Sequence, residues 1–375
     1  MREKEKIREQ KIKRRRRGHL IFAAITSKQA AEAGRRAPKV RVCERKKKYA
    51  SKKSSDGEGG KMSEKNILSD IKAQMNHFFV GKPQVVEQVL ICLLAGGHIL
   101  IEDVPGVGKT TLAKILADTL GLSLGRIQFT PDTLPGDVVG ISTYNMKTNE
   151  FEYHPGVVFH QVLLADEINR TTPKTQSGLL EVMAEGRVTV DGVTNPLPKP
   201  FFVMATQNPV DFLGTYPLPE AQMDRFMMRI SIGYPDKEAE LRMAKNQLEQ
   251  VTADAVEPVC SAEEVCMLCG QVGQVLVKDG VLEYMEDIVR LTRTEERFVL
   301  GASPRALLAL MRASQAKAFL EGRDYVIPDD VKAVAIPVLL HRLVLTSDAR
   351  LAGEDPERIL KNLILKGKVP MAERG

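Results

Sequence analysis

The chain has 375 residues, 43% hydrophobic and 27% charged, an ordinary balance for a soluble globular protein with room for two domains. No apolar run approaches the roughly 20 residues that span a bilayer, so no transmembrane segment is expected and cytoplasmic residence is the default reading. The net charge of +6 misleads: residues 1–61 hold 22 Lys/Arg against 7 Asp/Glu, which leaves 32 against 41, or −9, in residues 62–375. A mildly acidic folded part speaks against a broad electrostatic footprint for nucleic acid.

Residues 1–61 contain the like-charge runs "KIKRRRR" and "ERKKKYASKKSSDGEGGK", which cannot bury a core and read as a disordered tail. Met62 offers an alternative natural start, and no function is assigned to the segment. From Ser63 the pattern changes. "ILSDIKAQMNHFFV" and "VVEQVLICLLAGG" have helical spacing with "GKPQ" between them, and "HILIED" is a short apolar strand. "TTLAKILADTLG" is a helix closed by Gly121.

Further on, "ISTYNMKTNEFEYHPG" alternates around Thr148-Asn149, and "RVTVDGVTNPL" alternates around Asp191-Gly192. Both read as hairpins. "HQVLLADE" and "PFFVMATQNP" are buried strands ending in polar residues, with the helix "SGLLEVMAEG" between them. Apolar strands alternating with helices predict an α/β fold with a parallel sheet covered on both faces. Beyond Pro235 nearly everything reads as helix: 237–250, 262–272, 282–294, 304–320 and 329–343. The expected organisation is a tail (1–61), a sheet domain (62–234) and a small helical domain (235–375).

Of the cysteines Cys43, Cys92, Cys260, Cys266 and Cys269, odd in number and unevenly spaced, none suggests a disulfide framework. Cys266-x-x-Cys269 has metal-like spacing but no fourth ligand close by. It sits in "AEEVCMLCGQV", which reads as an amphipathic helix with both thiols on one face.

The chemistry starts at "EDVPGVGKTTLA", Glu102 to Ala113. It fits the end of the phosphate-loop pattern G-x-x-x-x-G-K-[ST], with Asp103 where the first glycine belongs. Gly106 and Gly108 allow the backbone N–H groups to approach a polyphosphate, and Pro105 stiffens the turn. Lys109 is placed to reach the β/γ-phosphates, and the Thr110 hydroxyl to ligate Mg²⁺. Downstream, Asp166 and Glu167 end an apolar strand, where ligands bind in open parallel sheets. Asp166 can hold Mg²⁺ through water, and Glu167 can polarise the attacking water. Asn208 ends a neighbouring strand and can orient that water, while Arg225 and Arg305 can balance charge at the γ-phosphate.

These segments, with "RIQFTPDTLPGDVVG", "FEYHPGVVF", "VLLADEINR" and "YPLPEAQMDRF", closely resemble the MoxR group of AAA+ ATPases over about Ile67 to Val369. The resemblance implies a five-stranded P-loop core and a small all-α lid, assembled as a homo-hexameric ring that binds ATP and Mg²⁺ at subunit boundaries. It makes Gly106, Val107, Gly108, Lys109, Thr110 and Thr111 the Walker A loop, and Asp166 and Glu167 the Walker B pair. Asn208 becomes sensor 1, and Arg305 a sensor 2 arginine acting on its own subunit. Arg225 becomes the arginine finger given to a neighbour, with Arg229 as runner-up, and Val80 and Gly81 would line the adenine pocket. The two hairpins resemble inserts that face the pore or the partner. The family implies chaperone-like remodelling of a client protein, often with a von Willebrand factor A domain partner. A nucleic-acid motor and a nucleotide-binding scaffold without turnover stand as alternatives.

Overall fold

The computed structural model describes residues 64–209, 214–249 and 255–369; the basic segment and the reading of it as a tail lie outside these residues. Helices α1 (Glu64–Phe78) and α2 (Pro83–Leu94) precede strand β1 (Ile99–Glu102), whose following loop runs into α3 (Lys109–Thr119). Strand β2 (Leu124–Gln128) and the short α4 (Pro135–Val139) lead to a hairpin of β3 (Gly140–Asn145) and β4 (Glu150–Pro155). Next come β5 (Val162–Asp166), α5 (Pro173–Glu185) and a second hairpin of β6 (Arg187–Val190) and β7 (Val193–Pro196). Strand β8 (Phe202–Gln207), the single turn α6 (Glu220–Met223) and β9 (Met228–Ile230) complete the strand-rich part.

The remainder is α7 (Lys237–Leu248), α8 (Ala262–Val272), α9 (Asp279–Thr294), β10 (Phe298–Leu300), α10 (Pro304–Leu320), α11 (Pro328–Leu339), β11 (Val344–Leu345), α12 (Ser347–Leu351) and α13 (Pro356–Lys366). It is nearly all helical, as expected, apart from the small antiparallel β10–β11 ribbon. The helix expected over 329–343 stops at Leu339 and tightens into a 3₁₀ turn, Leu340–Arg342. Pro337 lies inside α11, where it lacks the N–H for the i→i−4 bond and weakens the last turn.

Strands β2, β5, β8, β1 and β9, in that order, form one parallel sheet. Successive side chains on a strand point to opposite faces, and the core divides accordingly. Ile99, Ile101, Val162, Leu164 and Met204 join a cluster with Leu112 and Ile115 of α3, Val86 and Val89 of α2, and Leu310 and Val334 of the helical region. Leu100, Leu163, Ala165, Val203 and Ala205 join the other, with Leu179, Leu180 and Met183 of α5. Both faces of these strands are buried, which is why they read as continuous apolar runs. Asp191 and Gly192 both have positive φ, 51° and 78°, as the two-residue β6–β7 turn requires.

Candidate active site

The parallel sheet brings its polar strand ends to one edge. Ala165 is level with Ala205, and Glu102 is level with Gln207. Asp166, Glu167 and Asn208 therefore end neighbouring strands beside the start of the loop after β1. The Asp103 N–H extends the β1–β8 pairing by donating to the Gln207 carbonyl at 3.2 Å.

The loop has the backbone that its glycines permit: Gly106 and Gly108 have φ of 87° and 91°, a region costly for any residue with a Cβ. Gly108 is the N-cap of α3, and the first regular helical bond is Leu112 N–H to the Gly108 carbonyl, 2.9 Å. The N–H groups of Lys109, Thr110 and Thr111 precede that bond and carry the positive end of the helix dipole. Pro105, Gly106, Thr110 and Thr111 are exposed, Val107 is half-buried, and the Lys109 ammonium donates to the Asp103 carbonyl at 2.7 Å. Burial lowers the proton affinity of Lys109, and the carboxylates of Asp103, Asp166 and Glu167 partly restore it.

Asp166 and Glu167 are tied together by Thr206. Its hydroxyl donates to Asp166 Oδ1 at 2.6 Å and accepts the Glu167 N–H at 2.9 Å. Glu167 has φ 57° and ψ 51°, a left-handed conformation uncommon for a residue with a side chain and enriched at functional sites. Its carboxylate accepts from Gln128 Nε2 at 2.8 Å and pairs with Arg170 Nε at 3.1 Å. Arg126 Nη2 reaches Asp166 Oδ2 at 3.0 Å. Sequence reasoning missed Thr206, Gln128, Arg126 and Arg170. Strand alternation could have found Thr206, which lies two residues before Asn208 in "MATQNP".

The Phe79–Gly81 segment borders the loop. A Cβ at Gly108 would lie 3.4 Å from the Phe79 ring, and one at Gly81 would strike the Ala239 Cβ of α7. Val80 is buried. A cavity of about 620 Å³ opens beside Gly81 and is lined by Lys82, Glu102, Arg229, Ser231 and Pro337 among others, with no residue of Gly106–Thr111. Arg229 faces it, paired with Glu102 at 2.9 Å.

Arg225, expected to reach a neighbour's γ-phosphate, and Arg305, expected to reach its own, both stand close to Asp224. Arg225 is exposed and donates to the Leu180 carbonyl at 2.6 Å. Arg305, at the start of α10, lies 4.0 Å from Asp224, and Ser303 donates to the same carboxylate at 3.2 Å. Met227 N–H bonds to the His98 carbonyl at 2.9 Å, so residues 224–227 flank the N-terminal end of β1. The phosphate loop leaves the other end, about 10 Å away at the rise of a strand. Arg305 thus lies beside Asp224, near the end of β1 opposite the one the loop leaves.

Hard oxygen donors, the Thr110 hydroxyl and the Asp166 carboxylate, fit Mg²⁺, which takes few protein ligands beside substrate phosphates. Among the described residues no helix is long and apolar enough to cross a membrane. The model of the ATPase family associated with various cellular activities (AAA) matches residues 98–228, and the AAA lid domain model matches residues 290–363. The chain is 49% identical to the uncharacterized protein YeaC of Bacillus subtilis, over 81% of this chain and 95% of that one. It is 41% identical to Chaperone MoxR1 of Mycobacterium tuberculosis, over 83% and 84%. The crystal structure of a candidate ATPase from Cytophaga hutchinsonii superposes with a TM-score of 0.77 at 39% identity, covering 82% of this chain and 96% of that one. A phosphate loop, a strand-end acid pair, a five-stranded parallel sheet and a helical lid thus come with close relatives of the same build, and the chain belongs to the MoxR family of AAA ATPases.

Proposed function

We propose that this chain hydrolyses ATP with Mg²⁺ at the boundaries of a ring of its own copies. The cycle would drive chaperone-like remodelling of a client protein, with a von Willebrand factor A domain protein as the expected partner. The observation that carries the reading is the meeting of loop and acid pair at one sheet edge: Lys109 donates to the carbonyl of Asp103, whose N–H bonds to Gln207 of β8, and Thr206 of the same strand binds both Asp166 and Glu167. Phosphoryl transfer depends on positioning and on charge at the γ-phosphate more than on covalent chemistry.

In this reading the N–H groups of 106–111 and the Lys109 ammonium bind the phosphates, and Val80 and Gly81 border the adenine. Thr110 and Asp166 would hold Mg²⁺, which neutralises developing phosphate charge. Glu167 takes a proton from the attacking water, and Asn208 orients that water beside it. Arg225, next to Asp224 in the chain, and Arg305, 4.0 Å from Asp224, would both be offered to a neighbouring subunit. The exposed pair Tyr144 and Phe151, ring centroids 5.3 Å apart on the first hairpin, would face the client.

The test is a pair of variants. Lys109→Ala should lose nucleotide binding, and Glu167→Gln should bind ATP and not turn it over. Near-normal turnover in Glu167→Gln would remove Glu167 from its role. The net charge of −9 in residues 62–375 weighs against the nucleic-acid reading, which DNA-stimulated turnover by those residues alone would restore.

A further inference from the structure

Asp103 stands where the phosphate-loop pattern has its first glycine, and every polar atom it has is engaged. Its N–H bonds to Gln207, and its carbonyl accepts from Lys109 at 2.7 Å. Oδ1 accepts the Val104 N–H at 2.9 Å. Oδ2 accepts the Ile232 N–H at 2.6 Å, the Gly233 N–H at 2.7 Å and the Ser231 hydroxyl at 3.1 Å. The side chain is buried. Burial raises its proton affinity, but the donors of Gly233, Ile232, Ser231 and Val104 outweigh this and hold the carboxyl below the usual range.

Residues 231–236 are the only covalent link from β9 to α7, where the helical part begins. They are gripped on a second side by Lys82, which donates to the Tyr234 carbonyl at 2.8 Å, and Lys82 follows the Val80–Gly81 segment. A glycine at 103 would keep the loop and lose the acceptor of three linker donors. Charge-assisted bonds to a carboxylate are the stronger kind and fix geometry.

We propose that Asp103 is a positioning residue that couples the phosphate loop to the core–lid linker, holding Lys109 through its carbonyl and Ser231–Gly233 through its carboxylate. The proposal rests on the reading of Gly106–Thr111 as the nucleotide loop. An ammonium has three donors, so Lys109 can keep the Asp103 carbonyl while it contacts phosphate. Ordering the loop around a nucleotide then fixes the acceptor of the Ile232 and Gly233 amides, and the linker stiffens with it.

Hydrogen exchange of the full chain, with and without the magnesium complexes of ADP and a non-hydrolysable ATP analogue, tests this. In the wild type, nucleotide should slow exchange in peptides covering 104–112 and also in those covering 231–236. In Asp103→Asn and Asp103→Gly the 104–112 response should persist and the 231–236 response should be lost. Turnover should fall about tenfold in kcat with KM nearly unchanged, the pattern of a positioning defect. A wild-type response at 104–112 with none at 231–236 overturns the coupling while leaving the nucleotide site intact. So does a lowered Tm in Asp103→Asn with kcat unaltered. Absence of any response at 104–112 overturns the nucleotide reading and this proposal together. Should the glycine variant fail to fold, the wild-type and Asn arms still decide.

Discussion

Arg342 donates from Nε to the Asp224 carboxylate at 2.6 Å, one residue before Arg225. The guanidinium is buried and also donates to the Phe226 carbonyl at 2.7 Å. Burial lowers its proton affinity, and Asp224 opposes the shift. Asp224 also takes Ser303 at the start of α10, so one carboxylate joins the lid to the turn that carries Arg225.

Removing that carboxylate leaves a buried cation without its partner, which typically costs about 3–5 kcal/mol. Asp224→Ala should therefore lower the unfolding free energy by that order in denaturant titrations. Asp224→Asn, which retains an acceptor oxygen, should lose less. A change below about 1 kcal/mol in Asp224→Ala, the scale of a surface ion pair, would count against the buried-clamp account.

Thr206 makes a second sharp prediction. Thr206→Val keeps the shape and removes the hydroxyl that donates to Asp166 and accepts the Glu167 N–H. An orphaned buried donor costs roughly 1–3 kcal/mol, and here the cost falls on the geometry of both carboxylates. We expect kcat to drop about tenfold or more with a smaller change in ATP affinity, and Thr206→Ser to restore most of it. Equal kcat in the Val and wild-type proteins would mean that Thr206 does not position the pair.

His98 predicts the pH response of stability. Its Nδ1 accepts the Val203 N–H at 3.1 Å, so Nε2 carries the proton and donates to the Met183 carbonyl at 3.1 Å. Burial pushes its pKa down to about 4, below the roughly 6.5 of the unfolded chain. The folded state thus binds fewer protons between these values, and stability present above pH 6.5 is lost as pH falls towards 4. His341, buried and beside Arg342, shifts in the same direction. From pH 6.5 to 5, His98 alone should remove roughly 1.5 kcal/mol. Denaturant titrations at the two values would measure it, and a flat profile would contradict the buried neutral imidazole.

Strands β1, β5 and β8 were legible because they are buried on both faces and end in polar residues, whereas the partly exposed β2 and the three-residue β9 were not; the β6–β7 hairpin was legible because Asp191-Gly192 meets a strict turn requirement. The phosphate loop and the acid pair were legible because their chemistry fixes residue types at fixed spacing. What was hidden depends on tertiary placement. Thr206 looks like any strand threonine until β5 lies beside β8. Asp103 is only a departure from the glycine of the pattern until the linker after β9 folds back onto its carboxylate. Sequence order likewise does not say at which end of β1 the helical part docks; the Asp224 contacts of Arg342 and Arg305 show it.

That docking makes a prediction for the proposed ring. Head-to-tail subunits in a closed ring present one surface of each copy to the nucleotide loop of the next. Arg225→Ala should bind ATP and turn over slowly, and Lys109→Ala should not bind it. Mixed in equal amounts, intact loops would receive an intact Arg225 from a Lys109→Ala neighbour in about half of their contacts, restoring roughly a quarter of wild-type turnover per subunit. The placement of Arg305 beside Asp224 extends the argument. If both arginines come from the neighbour, the double variant Arg225→Ala/Arg305→Ala should be rescued by Lys109→Ala as well as the single variant is. If Arg305 serves its own loop, the double variant should stay inactive at every mixing ratio. ATP turnover across a series of mixing ratios separates the two, and failure to rescue even the single variant would remove Arg225 as the residue given to the neighbouring site.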